Sequence, residues 1–95
     1  MAAYVVIKLM VEDPKLLKDY QSVALSIIKK YKGKFLARGG NVITLERPSE
    51  TRRIIIIEFP NLDDAKAYYQ SEEYTNAIEL RKSIAVTEII AVEGW

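Results

Sequence analysis

The sequence predicts one α+β domain with the element order βαββαβ, and three observations support this fold class. Residues 4–10 and 53–59 are short runs rich in valine and isoleucine, with the length and composition of strands. Residues 15–31 repeat apolar side chains every three or four positions, as an amphipathic helix does. The 95 residues show no break in composition and are enough for one core. We therefore expect residues 1–95 to form a single domain.

The first half of the chain predicts a strand, a helix and a second strand. Asp13 followed by Pro14 combines a helix N-cap with a first-turn proline, so the helix is expected to begin there. Gly33 follows a lysine-rich last turn and is expected to end the helix. Residues 34–38 form the second strand, and residues 41–46 are expected to continue it after a bend or bulge at two glycines.

The second half predicts a third strand, a broken helix and a last strand at residues 87–93. Four consecutive isoleucines within residues 53–59 favour a central strand that is covered on both faces. Asn61 caps the next helix, and Ser71 is a second N-cap, so the helical region is expected to break there. This order is ferredoxin-like, with two right-handed crossovers, a four-stranded antiparallel sheet and the helices on one face.

Composition excludes several kinds of chemistry. The chain has no cysteine, which excludes disulfides and thiolate sites, and no histidine, the commonest metal ligand and general base. We therefore expect neither a metal nor a cofactor. A net charge of +1 with interspersed signs argues against nucleic acid and anionic membranes as partners. Residues 1–10 have no charged segment or cleavage pattern typical of an export signal, and their apolar run is too short to span a bilayer. We therefore expect a soluble, cytoplasmic protein.

Alternation along the strands divides their side chains between two faces of the sheet. The set without charge is expected under the helices: Val5, Ile7, Leu9, Phe35, Ala37, Ile55, Ile57 and Phe59. The other set mixes apolar and charged residues: Tyr4, Val6, Lys8, Met10, Leu36, Arg38, Ile54, Ile56 and Glu58. A lone domain would expose this second face, so we expect a second copy of the sheet to cover it in a two-fold homodimer.

Three segments carry a resemblance to a known family. GKFLARGG at residues 33–40, RIIIIEFP at residues 53–60 and SEEY at residues 71–74, with Arg81 behind them, resemble the DUF1330 family. The resemblance covers nearly the whole chain and implies the dimeric α/β-barrel superfamily. That superfamily includes cofactor-free antibiotic-biosynthesis monooxygenases, muconolactone isomerases, haem-degrading enzymes and chlorite dismutases. DUF1330 itself has no established general activity, and kinship of fold does not transfer a reaction.

Arg38 and Glu58 are the first candidate site residues. Arg38 lies in a strand beside two glycines that let a ligand approach, so it can clamp an anion. Glu58 ends an apolar strand and is the candidate catalytic general acid or base. The alternative for both residues is a structural ion pair between them on the same face. Sequence alone leaves both interpretations open.

Arg81, Tyr20 and Tyr74 are the remaining candidate ligand-binding residues. Arg81 interrupts an apolar helical stripe, so its head group either anchors a ligand or bonds to a structural acceptor. The two tyrosines can donate phenolic hydrogen bonds in the same pocket, although aromatic residues at helical spacing are more often core residues.

Two functions are consistent with these residues. One is a homodimer that binds a small organic ligand, for which the arginines suggest an anion. The chemistry consistent with it is that of a cofactor-independent oxygenase or isomerase, in which Glu58 moves a proton. The other is a non-catalytic structural or stress-related dimer without a dedicated substrate. Whether the protein is an enzyme stays open at this point.

Overall fold

The βαββαβ order is present in the computed structural model, which describes residues 1–95. The strands are β1 (Ala3–Val11), β2 (Lys34–Arg38), β3 (Arg53–Phe59) and β4 (Ala85–Glu93), and the helices are α1 (Lys18–Lys30), α2 (Leu62–Gln70) and α3 (Glu72–Ile78). The strands form one antiparallel sheet in the order β2-β3-β1-β4. The predicted ferredoxin-like fold is confirmed.

Local capping chemistry places the helices close to their predicted positions. The Asp13 carboxylate accepts a hydrogen bond from the Lys15 amide at 3.0 Å and starts a 3-10 turn, Pro14–Leu17, that leads into α1. Ser71 separates α2 from α3 as predicted, because its hydroxyl donates to the Tyr68 carbonyl and accepts from the Tyr74 amide. The break turns α3 so that Tyr74 enters the core, where it is fully buried.

Helix α1 ends where predicted, but the residue that turns the chain is Lys32 and not Gly33. Lys32, with φ of 69°, takes the left-handed conformation, and Gly33 does not. Gly33 is needed for space, because an added Cβ would lie 2.5 Å from Ile28 Cγ2 and 3.0 Å from the Phe59 ring. The glycine therefore allows β2 to begin close against the core.

Strand β2 contains a bulge that the sequence pattern does not reveal. Phe35 lies opposite Ile57, but Ala37 lies opposite Ile56, so the register shifts by one residue between them. A bulge reverses the alternation of every side chain that follows it. Ala37 therefore lies on the open face and Arg38 on the helix face, opposite Ile55, which reverses both predictions.

The predicted continuation of β2 is also wrong. Residues 41–46 have no strand structure and belong to a loop that runs from the glycines to the start of β3. The Glu50 amide donates to Thr44 Oγ1 at 2.8 Å inside this loop. The chain leaves the sheet because Gly39, with φ of 74°, turns it away directly after Arg38.

The core lies between the helices and one face of the sheet, as predicted. It joins the alternate residues of β1 and β3 to the inner sides of α1, α2 and α3: Val5, Ile7, Ala24, Ile27, Ile28, Ile57, Phe59, Ala65, Tyr68, Tyr74 and Ala77. The pairing of β4 with β1 places Ile89 on this face and Glu88 on the other. None of the helices has the length and apolar composition that crossing a membrane requires.

The opposite face of the sheet carries no helix, and we call it the open face. Val86, Ile90 and Val92 of β4 are 72%, 61% and 54% exposed there. β3 is an inner strand, as predicted, but its open-face residues Ile54 and Ile56 are only half-buried. A single copy of the chain therefore leaves a broad apolar surface uncovered.

Candidate functional site

Three of the predicted site residues meet between the helices and the sheet. The Tyr20 hydroxyl of α1 and the Tyr74 hydroxyl of α3 share a hydrogen bond of 2.5 Å. Their rings pack edge to face, with centroids 6.3 Å apart. The Arg81 guanidinium carbon lies 5.4 Å from the centroid of the Tyr20 ring. We call Tyr20, Tyr74 and Arg81 the tyrosine–arginine cluster.

Arg81 is the one charged residue in the buried core, with 5% of its surface exposed. One of its terminal nitrogens donates to Thr87 Oγ1 of β4 at 2.7 Å, whereas its buried Nε has no partner. No carboxylate lies within 4 Å of it. Burying an uncompensated charge is costly, and the Tyr20 ring offsets only part of that cost. Arg81 therefore retains unused capacity to bind an acceptor.

Tyr20 and Tyr68 are held as neutral phenols. Burial raises the pKa of Tyr20, and the neighbouring Tyr74 hydroxyl raises it further, although Arg81 acts in the opposite direction. Burial also raises the pKa of Tyr68, whose hydroxyl is buried without a hydrogen-bond partner. Burial acts to lower the pKa of Arg81, but the hydroxyls of Tyr74 and Tyr20 outweigh it and the net shift is upward. The cluster therefore presents hydrogen-bond donors and a positive charge.

A small cavity lies beside Tyr20, between α1 and strands β2 and β3. Its volume is about 40 Å³, and its walls are mostly apolar side chains such as Leu25, Phe35 and Ile55. The polar residues that line it are Tyr20, Gln21, Arg38 and Arg53, and no acidic residue is among them. We call this cavity together with the tyrosine–arginine cluster the cleft.

Arg38 reaches the cleft only because of the bulge in β2. Its guanidinium carbon lies 4.8 Å from the centroid of the Phe35 ring, a cation–π contact at the mouth of the cavity. Arg38 is exposed and pairs with no carboxylate. It therefore joins Tyr20 at the cavity, although the alternation of the strand predicts it on the other face.

Arg53 is a residue of the cleft that the sequence interpretation missed. It opens β3 opposite Leu9, and its Nε is buried without a hydrogen-bond partner. Its guanidinium packs against Gly39, where any side chain would collide with it. The signal was present, because Arg53 stands two residues before Ile55 and so shares its face. Arg53 is the first residue of β3, so the alternation of that strand does not clearly assign it to a face.

Glu58 lies away from the cleft. It faces the open side of the sheet, opposite Tyr4 of β1 and Lys34 of β2, and it forms no ion pair within 4 Å. The alternative of an ion pair between Glu58 and Arg38 is wrong, because the bulge places Arg38 on the helix face. Glu58 and the tyrosine–arginine cluster therefore do not share a cavity.

A second group of charges lies on the open face and is paired within one copy. Arg52 donates to both carboxylate oxygens of Glu50, at 2.8 and 2.9 Å, and contacts Glu88 at 3.0 Å. Lys8 lies 3.6 Å from Glu50. Hydrogen bonds from Arg52 lower the pKa of Glu50 to about 2. This network holds the end of the β2–β3 loop on the sheet.

No group of three or more acidic side chains lies together in a way that could hold a metal ion.

Comparison with known proteins identifies the family of the chain. Residues 2–95 match the family model described as a domain of unknown function, DUF1330. The chain belongs to the DUF1330 family. The resemblance noted in the sequence is thereby confirmed, whereas no curated protein sequence matches this DUF1330 chain.

Solved structures share the fold of this DUF1330 protein at low sequence identity. A protein of unknown function from Rhodopseudomonas palustris, RPA0582, has a TM-score of 0.75 and 16% identity, covering 99% of this chain and 82% of that one. SnoaB, a cofactor-independent oxygenase from Streptomyces nogalater, has a TM-score of 0.70 and 10% identity, covering 99% and 93%. A dimeric protein of unknown function with a ferredoxin-like fold from Bacteroides fragilis has a TM-score of 0.63 and 17% identity, covering 98% and 96%. These identities show a common fold and nothing further.

The three DUF1330-like segments each supply a residue of the cleft. GKFLARGG contributes Arg38 and also Gly39, against which Arg53 packs. RIIIIEFP contributes Arg53, its first residue, and SEEY contributes Tyr74. The segments that are separated in sequence therefore converge on one place in this DUF1330 fold.

Proposed function

We propose that the protein binds a small organic ligand in the cleft and works as a homodimer that is joined through the open face. The observation that carries the ligand site is Arg81, a buried charge that has no carboxylate and keeps a free Nε. A fold gains nothing in stability from such a residue, because an apolar side chain of similar length would avoid its desolvation cost. Arg81 does not itself line the cavity, but it lies over the ring of Tyr20, which does. Charged groups without a full set of partners near a cavity are typical of functional sites.

An Arg81→Met variant tests the ligand site. A panel of aromatic acids, amides and phenols is screened against the wild type by ligand-observed NMR. We expect the compounds that bind to lose at least tenfold in affinity in Arg81→Met, because the charge and its donors are removed from the cleft. Lys82→Met is the matched control, since it removes one positive charge from the exposed neighbouring residue. Equal binding by Arg81→Met and wild type would contradict a site at the cleft.

Cofactor-independent oxygenase or isomerase chemistry is the second candidate function. The hydrogen-bonded hydroxyls of Tyr20 and Tyr74 beside Arg81 are the kind of fixed donors that stabilise a developing oxyanion. The likeness to SnoaB supports the fold and carries no reaction by itself. Oxygen uptake and mass spectrometry on the same ligand-bound samples separate turnover from binding. Binding without any chemical change would favour the non-catalytic alternative.

The open face supports a homodimer through its composition and charge. Its exposed apolar residues on β4 form a patch that a second sheet can bury. The charges of Lys8, Glu50, Arg52 and Glu88 already pair within one copy, so covering these four requires no matching charges from the partner. Glu58, which has no ion pair on this face, would need a partner or a place at the edge of the contact. The Bacteroides fragilis neighbour, described as dimeric, shows that a chain of this fold can associate.

An Ile90→Lys variant tests the homodimer. Ile90 is 61% exposed on the open face, and a lysine there would place two like charges near a two-fold contact. We expect the dimer to dissociate at least tenfold more readily, equivalent to about 1.4 kcal/mol, in sedimentation velocity over a concentration series. Leu80→Lys is the control, because Leu80 is exposed outside the sheet. A wild type that sediments as a monomer at micromolar concentration would contradict the proposal.

A further inference from the structure

We infer that the ligand of the cleft is an organic carboxylate, held by the guanidinium groups of Arg38 and Arg53. This inference rests on the proposed function, because it names the chemical class of the molecule bound at that site. It depends on three observations: the unpaired charge of the cleft, the size of its cavity and the free donors of Arg53.

The cleft carries an excess of positive charge that nothing in the chain neutralises. Arg38 and Arg53 line the same cavity as Tyr20, and Arg81 lies over the Tyr20 ring. None of the three arginines has a carboxylate within 4 Å. Arg52, the neighbour of Arg53, contacts two carboxylates on the opposite face. The absence of acids from the cleft is therefore local, since the whole chain is close to neutral. Positive groups against apolar walls concentrate the field and favour an anion.

The cavity has room for a small polar group. A volume of about 40 Å³ is roughly three times the 10–15 Å³ that one water requires. A carboxylate, with three heavy atoms, is of a size to enter this space. The remainder of the ligand would lie at the mouth, where Phe35 and the exposed Arg38 form the rim. The site therefore recognises the charged end of a molecule.

Arg53 is prepared to bind two oxygens in one plane. Its guanidinium forms no ion pair, and Gly39 packs against one side of it, next to the buried Nε. A ligand in the cavity would therefore meet the terminal nitrogens of Arg53, which lines that cavity. A guanidinium with free donors binds a planar carboxylate through two parallel hydrogen bonds. Arg38 lines the same cavity and adds a second positive group beside the carboxylate. Lysine in place of Arg53 would supply the charge without the planar fork.

Calorimetry on the full chain with three probes tests this assignment: benzoate, its neutral isostere benzamide, and phenyl phosphate. We expect benzoate to bind at least tenfold more tightly than benzamide. Arg53→Gln should remove at least tenfold of the benzoate affinity and leave benzamide unchanged, and Arg38→Gln should act in the same direction. Arg53→Lys should fall between wild type and Arg53→Gln. Arg47→Gln is the matched control, because Arg47 is exposed in the β2–β3 loop and lines no part of the cavity.

The outcomes separate this inference from the proposed function. Benzoate that binds no more tightly than benzamide, including failure of both to bind, overturns the carboxylate assignment. If Arg81→Met still weakens other compounds of the panel, the cleft remains a ligand site of different selectivity. Tighter binding of phenyl phosphate than of benzoate would assign the site to phosphate esters. Equal loss of benzoate in Arg47→Gln and Arg53→Gln would show a general charge effect and would also overturn it. Circular dichroism confirms that each variant is folded.

Discussion

Phe59→Ala is expected to lower the free energy of unfolding by roughly 3–5 kcal/mol, the usual cost of removing a fully buried phenylalanine. Phe59 has no exposed surface and stacks on Tyr68 with ring centroids 5.3 Å apart. Its ring also lies beside Gly33, so the truncation opens space where β2, β3 and α2 meet. Small domains have only about 5–15 kcal/mol in total, so the variant should be close to unfolding. Urea denaturation followed by circular dichroism measures the change.

Ile43→Ala is the control for this experiment. Ile43 is 78% exposed in the β2–β3 loop, and its truncation should change the free energy of unfolding by less than about 0.5 kcal/mol. A loss of under about 1.5 kcal/mol in Phe59→Ala would contradict the packing of this end of β3, since it lies well below the range for a filled core position. A change in the slope against urea would indicate an altered unfolded or native state instead.

Elements with local causes could be predicted from the sequence. The start of the first helical region depends on Asp13 and its proline, and the break between α2 and α3 depends on Ser71, whose hydroxyl serves both helices. These signals lie within three or four residues of the structure that they determine. The faces of β1 and β3 also follow from simple alternation, because neither strand is interrupted. Local rules are sufficient wherever the geometry remains regular.

The bulge in β2 shows where such reasoning ends. The glycines after Arg38 indicate irregularity, but the extra residue lies earlier, between Phe35 and Ala37. Its position depends on how β2 pairs with β3, which is a tertiary property. A shift by one residue moves Arg38 from the open face to the cleft and so separates it from Glu58. The ion pair, one of the two interpretations left open for these residues, is therefore wrong, although the strand itself is in the predicted place.

The candidate site could be predicted in part. Tyr20 and Tyr74 belong to helical stripes of α1 and α3, so their convergence follows from periodicity once the helices share one side of the sheet. Arg81 was expected on the same stripe, but α3 ends at Ile78 and Arg81 lies in the turn that follows it, from where it reaches the Tyr20 ring. Arg53 and Thr87 were missed because each lies near the end of a strand, where alternation has few residues to establish it. Their roles emerge only when β3, β1 and β4 are aligned.

Tyr68→Phe and Tyr74→Phe are expected to change stability in opposite directions. The Tyr68 hydroxyl is buried without a partner, so its removal should stabilise the fold by roughly 1–2 kcal/mol. The Tyr74 hydroxyl bonds to Tyr20, so its removal deprives the half-buried Tyr20 hydroxyl of this partner and should cost roughly 1–3 kcal/mol. The two variants delete the same atom from adjacent tilted rings, with centroids 4.6 Å apart, and each is the control for the other.

Alkaline pH supplies a second test of Tyr68, through its raised pKa. Burial raises the pKa of Tyr68 and of Tyr20 in the folded chain, whereas in the unfolded chain tyrosines ionise near pH 10. Above that pH the unfolded state binds fewer protons than the native state, so stability falls as pH rises. Tyr68→Phe removes one of these groups, so the decline of stability between pH 9 and about 11, measured by urea denaturation, should become shallower.

Destabilisation by Tyr68→Phe at neutral pH would contradict the stability prediction. It would show that the hydroxyl has a hydrogen-bonding partner, such as a bound water, and that the aromatic core is more polar than its contacts indicate.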